Sequence, residues 1–168
     1  DRLRPYQVYR QTLDSTTKTL VYEETDGKFT AYVAPSKTRE YIFVGSASST
    51  TTDEHIIPAD RPTEKYKTFM PRVKDVDYSV YPHKDRFFVR YKDKQNLNSK
   101  TDQRKERVPH NPDVLIENID VLQNYLAIEV RENGLSNIVI KSLNGQEDKT
   151  ISFPEPVYTA SLNGNPEY

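Results

Sequence analysis

The segment from Glu40 to Met70 reads EYIFVGSASSTTTDEHIIPADRPTEKYKTFM and holds three short strand-like runs separated by polar turns. The first run, Tyr41 to Val44, is aromatic and β-branched, and it breaks at Gly45 into a Ser/Thr tract. A second run ends with Ile56 and Ile57 before a proline, and a third alternating run follows. This order of strand, turn, strand, turn and strand predicts a small antiparallel sheet.

The segments on both sides of this stretch repeat its pattern. With Tyr41, Phe87 and Tyr125 as equivalent positions, the units recur after 46 and 38 residues. Four-stranded units of about 40 to 50 residues are typical of β-propeller blades, and no stretch keeps a helical apolar period over three turns. The sequence therefore predicts an all-β fold: a partial β-propeller of about three four-stranded antiparallel blades plus strands of the flanking blades. A plain antiparallel sandwich of similar strand count is the alternative.

The predicted boundaries follow the turns. Residues 1–24 hold the last strand of a preceding blade, Tyr6 to Gln11, and then an extended link. Residues 25–71 form blade A, 72–109 blade B and 110–154 blade C, while 155–168 supply the first strand of a following blade, Val157 to Leu162. The outer half of blade B, Asn96 to Val108, is nearly all polar and predicts a sheet edge.

The composition limits the classes of protein that fit. With 168 residues the chain is long enough for one domain, and its 12 Tyr and 6 Phe are too many for a disordered segment. The formal net charge of -1 argues against a nucleic-acid or acidic membrane partner, and no apolar run approaches the roughly 20 residues of a membrane span. Because Asp1 to Tyr6 form neither a signal peptide nor a natural start, we expect an excised segment of a longer protein.

Seven stretches of the sequence are specific enough for comparison with known families: Arg4 to Arg10, Val21 to Glu24, Tyr41 to Glu54, Asp77 to Val80, Glu129 to Leu135, Pro154 to Thr159 and Asn165 to Glu167. In this order they resemble the propeller domain of the prolyl oligopeptidase family of serine peptidases, in its oligopeptidase B branch. The resemblance covers nearly all 168 residues, and it is weakest at Asp93 to Val108.

The resemblance implies a role outside the chemistry itself. In this family the catalytic triad lies on an α/β-hydrolase domain, so that domain of the same parent chain is the expected partner, and this chain carries no catalytic residue. The family resemblance also implies short basic peptides, cut after Lys or Arg, as substrates of the parent, with the propeller limiting substrate size. A free-standing all-β module that binds peptides or glycans is the alternative. Open blade faces would favour self-association.

The residues themselves offer little catalytic chemistry. The five glycines form no Gly-x-Ser-x-Gly motif, and Gly45-Ser46-Ala47-Ser48 is interpreted as a strand-ending turn. His55, His83 and His110 lack the short spacing of metal ligands, so no metal and no cofactor are expected. The Ser/Thr tract from Ser46 to Thr52 is interpreted as a turn rather than an anion site. The basic stretch Lys100 to Arg107 is interpreted as a solvated edge rather than a nucleic-acid patch.

Three carboxylates are candidates for a weak substrate-steering role. Within the family, charged residues on inner strands and connecting turns face the central tunnel or the domain interface. Glu23, Glu24 and Glu129 could therefore guide basic peptides by long-range attraction. The alternatives are plain solvent exposure and local salt bridges.

Overall fold

A computed structural model describes residues 3–93, 108, 111–145, 147–151, 153, 155 and 158–163. Twelve strands run through these residues, and none of the described residues forms a helix. The strands are β1 Gln7–Arg10, β2 Thr19–Glu23, β3 Thr30–Pro35, β4 Tyr41–Ala47, β5 Thr52–Pro58, β6 Lys67–Thr68, β7 Val76–His83, β8 Arg86–Asp93, β9 Val114–Val121, β10 Tyr125–Glu132, β11 Leu135–Ser142 and β12 Lys149–Ile151. Accordingly, no helix in the described part could cross a membrane.

The strands form four antiparallel sheets in sequence order. Two are four-stranded meanders, β3-β4-β5-β6 and β9-β10-β11-β12, and two are pairs, β1-β2 and β7-β8. The chain divides into two compact units, residues 1–97 and 98–168. The first three sheets belong to the first unit, and the meander β9 to β12 belongs to the second.

In the first unit, the meander β3 to β6 is covered on both faces. Alternate residues of a strand point to opposite faces, so neighbours along β4 serve different cores. On one face Val44 packs with Tyr22 of β2. On the other face Phe43 packs with Val76 and Tyr78 of β7. Stacking of successive sheets face to face is the arrangement of neighbouring blades.

In the second unit, β10 is the centre of its sheet. It pairs with β9 on one side and β11 on the other, and Leu126, Ala127 and Ile128 are all buried. The hairpin from β10 to β11 turns at Asn133 and Gly134, which have φ of 51° and 82°. Two central residues with positive φ suit the twist of a tight hairpin, which is why an Asn-Gly pair fits this turn.

Two terminal predictions need correction. The segment predicted as an extended link after Tyr6 to Gln11 contains β2, which pairs antiparallel with β1, with one irregularity between Val8 and Tyr9. The strand predicted at Val157 to Leu162 is absent from its described part, Tyr158 to Leu162. That segment is held by side chains instead of a ladder: the Leu162 N–H donates to Glu129 Oε2 and the Tyr158 hydroxyl to Asn137 Oδ1.

The second strand of the meander β3 to β6 also ends later than predicted. Gly45, Ser46 and Ala47 continue β4 instead of turning, and Gly45 is opposite Glu54 of β5. A Cβ on Gly45 would lie 2.0 Å from the Asp53 carbonyl oxygen, so the two strands approach here only because residue 45 has no side chain. Of the polar outer half predicted for blade B, Asn96 to Val108, only Val108 lies within the described residues.

Candidate functional site

A buried ionic cluster lies where β2 packs on the central meander. Its members are Tyr22, Glu24, Ser46, Asp53, His55 and Arg72. Ser46 of β4 and Asp53 of β5 are register partners, so both side chains face β2. Tyr22, the residue before the end of β2, lies beside them, and Glu24 comes directly after the last residue of that strand.

Arg72 is the cation of this cluster. It follows β6 in sequence and reaches back across the sheet, where Nη2 lies 2.8 Å from Asp53 Oδ2 and also pairs with Glu24 Oε2. The same nitrogen donates to Ser46 Oγ at 3.0 Å. The Phe29 ring packs under the guanidinium, 4.2 Å from its central carbon, which adds a cation–π contact. Arg72 therefore links the connections before and after the meander.

The cluster fixes the protonation states of its members. Burial of Glu24 disfavours its charge, but hydrogen bonds from Arg72, Ser46 and the Asp26 amide outweigh burial and lower its pKa to about 2. Burial raises the pKa of the Tyr22 phenol, so this group stays neutral. At neutral pH two carboxylates thus share one guanidinium.

His55 lies at the edge of the cluster. Its Nε2 is 3.3 Å from Asp53 Oδ2, and its Nδ1 is 3.1 Å from Thr68 Oγ1. The ring packs against Tyr66 in a tilted arrangement, with centroids 4.4 Å apart, and contacts Tyr22. Burial is the largest influence on His55 and lowers its pKa, so a neutral imidazole is expected.

This arrangement does not form a nucleophilic serine site. Ser46 is fully buried, and its hydroxyl donates to Glu24, which is itself bound by Arg72. An activated serine needs an exposed hydroxyl and a histidine within hydrogen-bond reach, and the hydroxyl of Ser46 meets neither need. The cluster is instead suited to holding β2 on the meander.

The opposite face of the meander carries a second polar group around Glu54. The Tyr32 hydroxyl donates to Glu54 Oε2 at 3.0 Å. Tyr78 of β7 reaches across, and its hydroxyl accepts the Glu54 backbone N–H at 3.0 Å. Burial raises the pKa of Glu54 to about 7, because one hydroxyl donor does not compensate a buried charge.

The Ser/Thr tract joins the meander to β7. Thr50 donates to Asp75 Oδ1 at 2.9 Å, and Thr52 donates to Asp77 Oδ1 at 2.7 Å. The Ser48 hydroxyl accepts the Thr51 N–H within the turn at 3.1 Å. The hydroxyls of Thr50 and Thr52 therefore already bind carboxylates, which would repel an added anion.

The three predicted steering carboxylates lie in different surroundings. Glu23 is exposed and accepts a hydrogen bond from Gln7. Glu24 is only 3% exposed and belongs to the ionic cluster. Glu129 lies on β10 in the second unit and accepts the Leu162 N–H at 3.1 Å. The structure thus brings Glu24, but not Glu23, into the cluster, and the steering role stays a prediction.

The other candidate residues are dispersed. His55 and His83 are buried on different strands, and His110 and the basic stretch Lys100 to Arg107 lie outside the described residues. Within the described ranges, His, Asp and Glu side chains form no group of three that could hold a metal. Neither Arg72 nor Glu54 was predicted as a site residue: Arg72 belongs to no motif, and Glu54 is only the last residue of a stretch that resembles the family. The one available signal was the polar run Thr52 to His55 inside a strand.

The fold and these inter-sheet contacts define a class of protein. Antiparallel sheets that follow one another along the chain, with the meander β3 to β6 covered on both faces and no helix among the described residues, are a segment of a β-propeller, as predicted. The chain belongs to the prolyl oligopeptidase family, since the family model "Prolyl oligopeptidase, N-terminal beta-propeller domain" matches residues 1–168. The resemblance noted in the sequence is therefore confirmed.

Curated relatives and solved structures agree with this assignment. The chain is 28% identical to Protease 2 of Moraxella lacunata, over 98% of this chain and 25% of the relative. It is 27% identical to dipeptidyl aminopeptidase BI of Pseudoxanthomonas mexicana, over 88% of this chain and 22% of the relative. The chain thus spans about a quarter of the length of the curated relatives it matches.

Two solved structures support the fold at lower identity. Oligopeptidase B from Trypanosoma brucei, in a closed form with covalently bound antipain, superposes with a TM-score of 0.81 at 22% identity, over 93% of this chain and 25% of that chain. Oligopeptidase B from Leishmania major gives a TM-score of 0.77 at 22% identity, over 94% of this chain and 25% of that chain. With the family model, these structures favour a propeller segment of this family over a free-standing binding module.

Proposed function

We propose that this segment caps the active site of a larger serine peptidase and limits the size of its substrates. The observation that carries the proposal is the match of residues 1–168 to the N-terminal propeller domain of the family. The proposed partner is a catalytic α/β-hydrolase domain of the same parent chain. The proposed substrates of the parent are short peptides, cleaved after Lys or Arg.

The test compares substrates of equal chemistry and different bulk. The complete parent protein would be assayed with a short Arg-containing chromogenic peptide, and with the same residues placed in an exposed loop of a stably folded protein. We expect turnover of the short peptide and at least a hundredfold lower kcat/KM for the folded substrate. Equal cleavage of both would refute the size limit, and cleavage only after residues other than Lys or Arg would refute the substrate class.

We propose that Glu23 and Glu129 contribute to steering of basic peptides, with Glu24 in a lesser role. Glu23 is exposed, so its field reaches solvent, whereas the charge of Glu24 is balanced locally by Arg72. Charge attraction raises association rates by about 10- to 1000-fold at low salt and is screened at high salt.

The steering test uses charge reversal in the complete parent. Glu23→Lys with Glu129→Lys should lower kcat/KM for a basic peptide several-fold at low salt and flatten its dependence on salt. Glu40→Lys is the control, because Glu40 is also exposed but lies outside the proposed set. Unchanged salt dependence in the double variant would dismiss the steering role. Glu24 is left intact, since its reversal would break the pair with Arg72.

We also propose that the blades follow the boundaries 25–71, 72–109 and 110–154. In support, β3 to β6 lie within the first range, β7 and β8 within the second and β9 to β12 within the third. Self-association of the isolated segment through an open blade face is a further proposal. Tyr9 and Leu20 are register partners in the β1-β2 pair, and they are 51% and 45% exposed.

Light scattering of the isolated segment tests this self-association. We expect species larger than one chain at high concentration, and a shift towards one chain in the variant Tyr9→Gln with Leu20→Gln. Val33→Gln is the control, because Val33 is also exposed but lies on the central meander. A strictly monomeric wild type, or equal loss of association in the control, would contradict the proposal.

A further inference from the structure

Glu54 is a buried carboxyl group with unusually few partners. The residue is 8% exposed. Its Oε2 accepts one hydrogen bond, from Tyr32, while its buried Oε1 has no hydrogen-bond partner among the described residues. No basic side chain in the described part forms an ion pair with it. An ionised carboxylate in such a place would lack the compensation that buried charges need.

The backbone of Glu54 is also a junction between three strands. Its carbonyl accepts the Phe69 N–H at 3.0 Å, just beyond the short pairing of β5 with β6. Its N–H donates to the Tyr78 hydroxyl, and the Met70 backbone bonds to the same hydroxyl. Tyr78 thus replaces a strand partner at the point where β6 ends. Across the sheet, β4 approaches β5 so closely at Gly45 that residue 45 has no space for a side chain.

The groups that face Glu54 are neutral. Tyr32 from β3 and Tyr78 from β7 are phenols whose pKa values burial raises, to about 12 for Tyr78. Gly45 from β4 and Phe69, which follows the end of β6, carry no charge. The neighbouring Asp53 belongs to the opposite face, where Arg72 holds it. Because no neighbouring cation in the residues that the structure describes neutralises the Glu54 carboxylate, protonation is the simplest way for this group to lose its charge.

We propose that the protonation state of Glu54 controls the contact between β5 and β7. The contact is kept while the carboxyl group is neutral, and it loosens when the carboxyl group ionises. Burial sets the pH window, since it raises the pKa to about 7 from 4.5. A folded-state pKa above the unfolded one gives stability that is complete below about pH 4.5. That stability is lost as pH rises through 7. The contact between β5 and β7 should therefore open more often in mildly alkaline solution.

The test measures opening of the contact between β5 and β7 in the full 168-residue chain. Hydrogen exchange of the Glu54 and Phe69 amides, corrected for intrinsic rates, should show roughly 30-fold less protection at pH 8 than at pH 5.5, from the two pKa values. In Glu54→Gln the protection should be independent of pH over this range. Glu40→Gln, the same change at an exposed site, should behave as the wild type does.

Carboxyl ¹³C chemical shifts of labelled glutamate give a second readout. One resonance should titrate with a midpoint near pH 7 and vanish in Glu54→Gln. Tyr32→Phe removes the hydroxyl donor and should move that midpoint upward, which keeps the proposal testable if Glu54→Gln does not fold. A Glu54 midpoint below 5, a midpoint that stays or falls in Tyr32→Phe, or pH-dependent protection that persists in Glu54→Gln would overturn the proposal.

Discussion

Replacing Arg72 with methionine should destabilise the first unit by about 3 kcal/mol at pH 7. Methionine keeps much of the apolar stem but removes the guanidinium that Glu24 and Asp53 share. Both carboxylates would remain in a largely buried site without their cation. Removal of one partner from a buried ion pair typically costs about 3 to 5 kcal/mol, because the remaining charge is uncompensated.

The magnitude also follows from the titration of Glu24. Its pKa falls from 4.5 to about 2, because hydrogen bonds led by Arg72 outweigh the opposing effect of burial. Each pKa unit corresponds to about 1.4 kcal/mol, which gives about 3 kcal/mol. The Arg72 side chain is 32% exposed, so solvent screening reduces this to about 2 to 3 kcal/mol. The two routes agree on the order of magnitude.

Urea unfolding of the full chain, followed by circular dichroism at pH 7 and pH 3.5, measures this cost. A depressed carboxyl pKa gives stability that is present above about pH 4.5 and lost as pH falls towards 2. The gap between wild type and Arg72→Met should therefore narrow by about 1 kcal/mol at the lower pH. Arg61→Met is the control, because the Arg61 side chain is 58% exposed and forms a surface ion pair. This change should alter the free energy of unfolding by about 0.5 kcal/mol or less.

A double-mutant cycle decides whether the pair with Glu24 causes the loss. Glu24→Gln combined with Arg72→Met should recover part of the stability, with a coupling energy of about 2 kcal/mol. A cost below 1 kcal/mol for Arg72→Met, a gap that does not change with pH, or a coupling energy near zero would refute the reasoning.

Three further changes test the packing of the sheets, each by urea unfolding. Gly45→Ala should lower the free energy of unfolding by about 3 kcal/mol, because the new Cβ would collide with the backbone of β5. Gly27→Ala is the control, because Gly27 has open space around it, and it should cost under about 1 kcal/mol. Equal costs for the two changes would contradict the close approach of the strands at Gly45. Gly134→Ala should cost about 1 to 2 kcal/mol, because φ is +82°, and a neutral result would count against the turn geometry. Tyr78→Phe should cost about 1 to 3 kcal/mol by leaving buried amides without an acceptor, while the exposed Tyr9→Phe should be nearly neutral.

The strands and turns were largely predictable from local pattern. Tyr41 to Val44 alternates between two apolar cores, and its aromatic and β-branched residues favour a strand. Asn133-Gly134 fixes a two-residue hairpin through backbone sterics alone. The family was recognisable because its resemblance extends over nearly the whole chain rather than one motif.

Burial of the polar residues was not predictable in the same way. The run Thr52 to His55 suggests a solvent-facing outer strand, yet all four residues are buried. Their partners are distant in sequence, since Arg72 pairs with Asp53 and Tyr32 with Glu54. Local periodicity does not contain such long-range pairing, so neither the ionic cluster nor Glu54 could be located from the sequence.

The low apolar content of the chain follows from this mode of packing. A blade is covered on both faces, yet only 35% of the residues are apolar, so part of each covered face must be polar. Polar groups can be buried only when directional bonds replace their water, which Arg72 provides on one face and Thr52 with Tyr78 on the other. Because such bonds form at one register only, they align neighbouring sheets more strictly than apolar contact alone. Replacing Thr52 by valine should therefore loosen the alignment of β7 on the meander by more than the change in buried apolar area suggests. The measurement is hydrogen exchange of the Tyr78 amide, which should become faster.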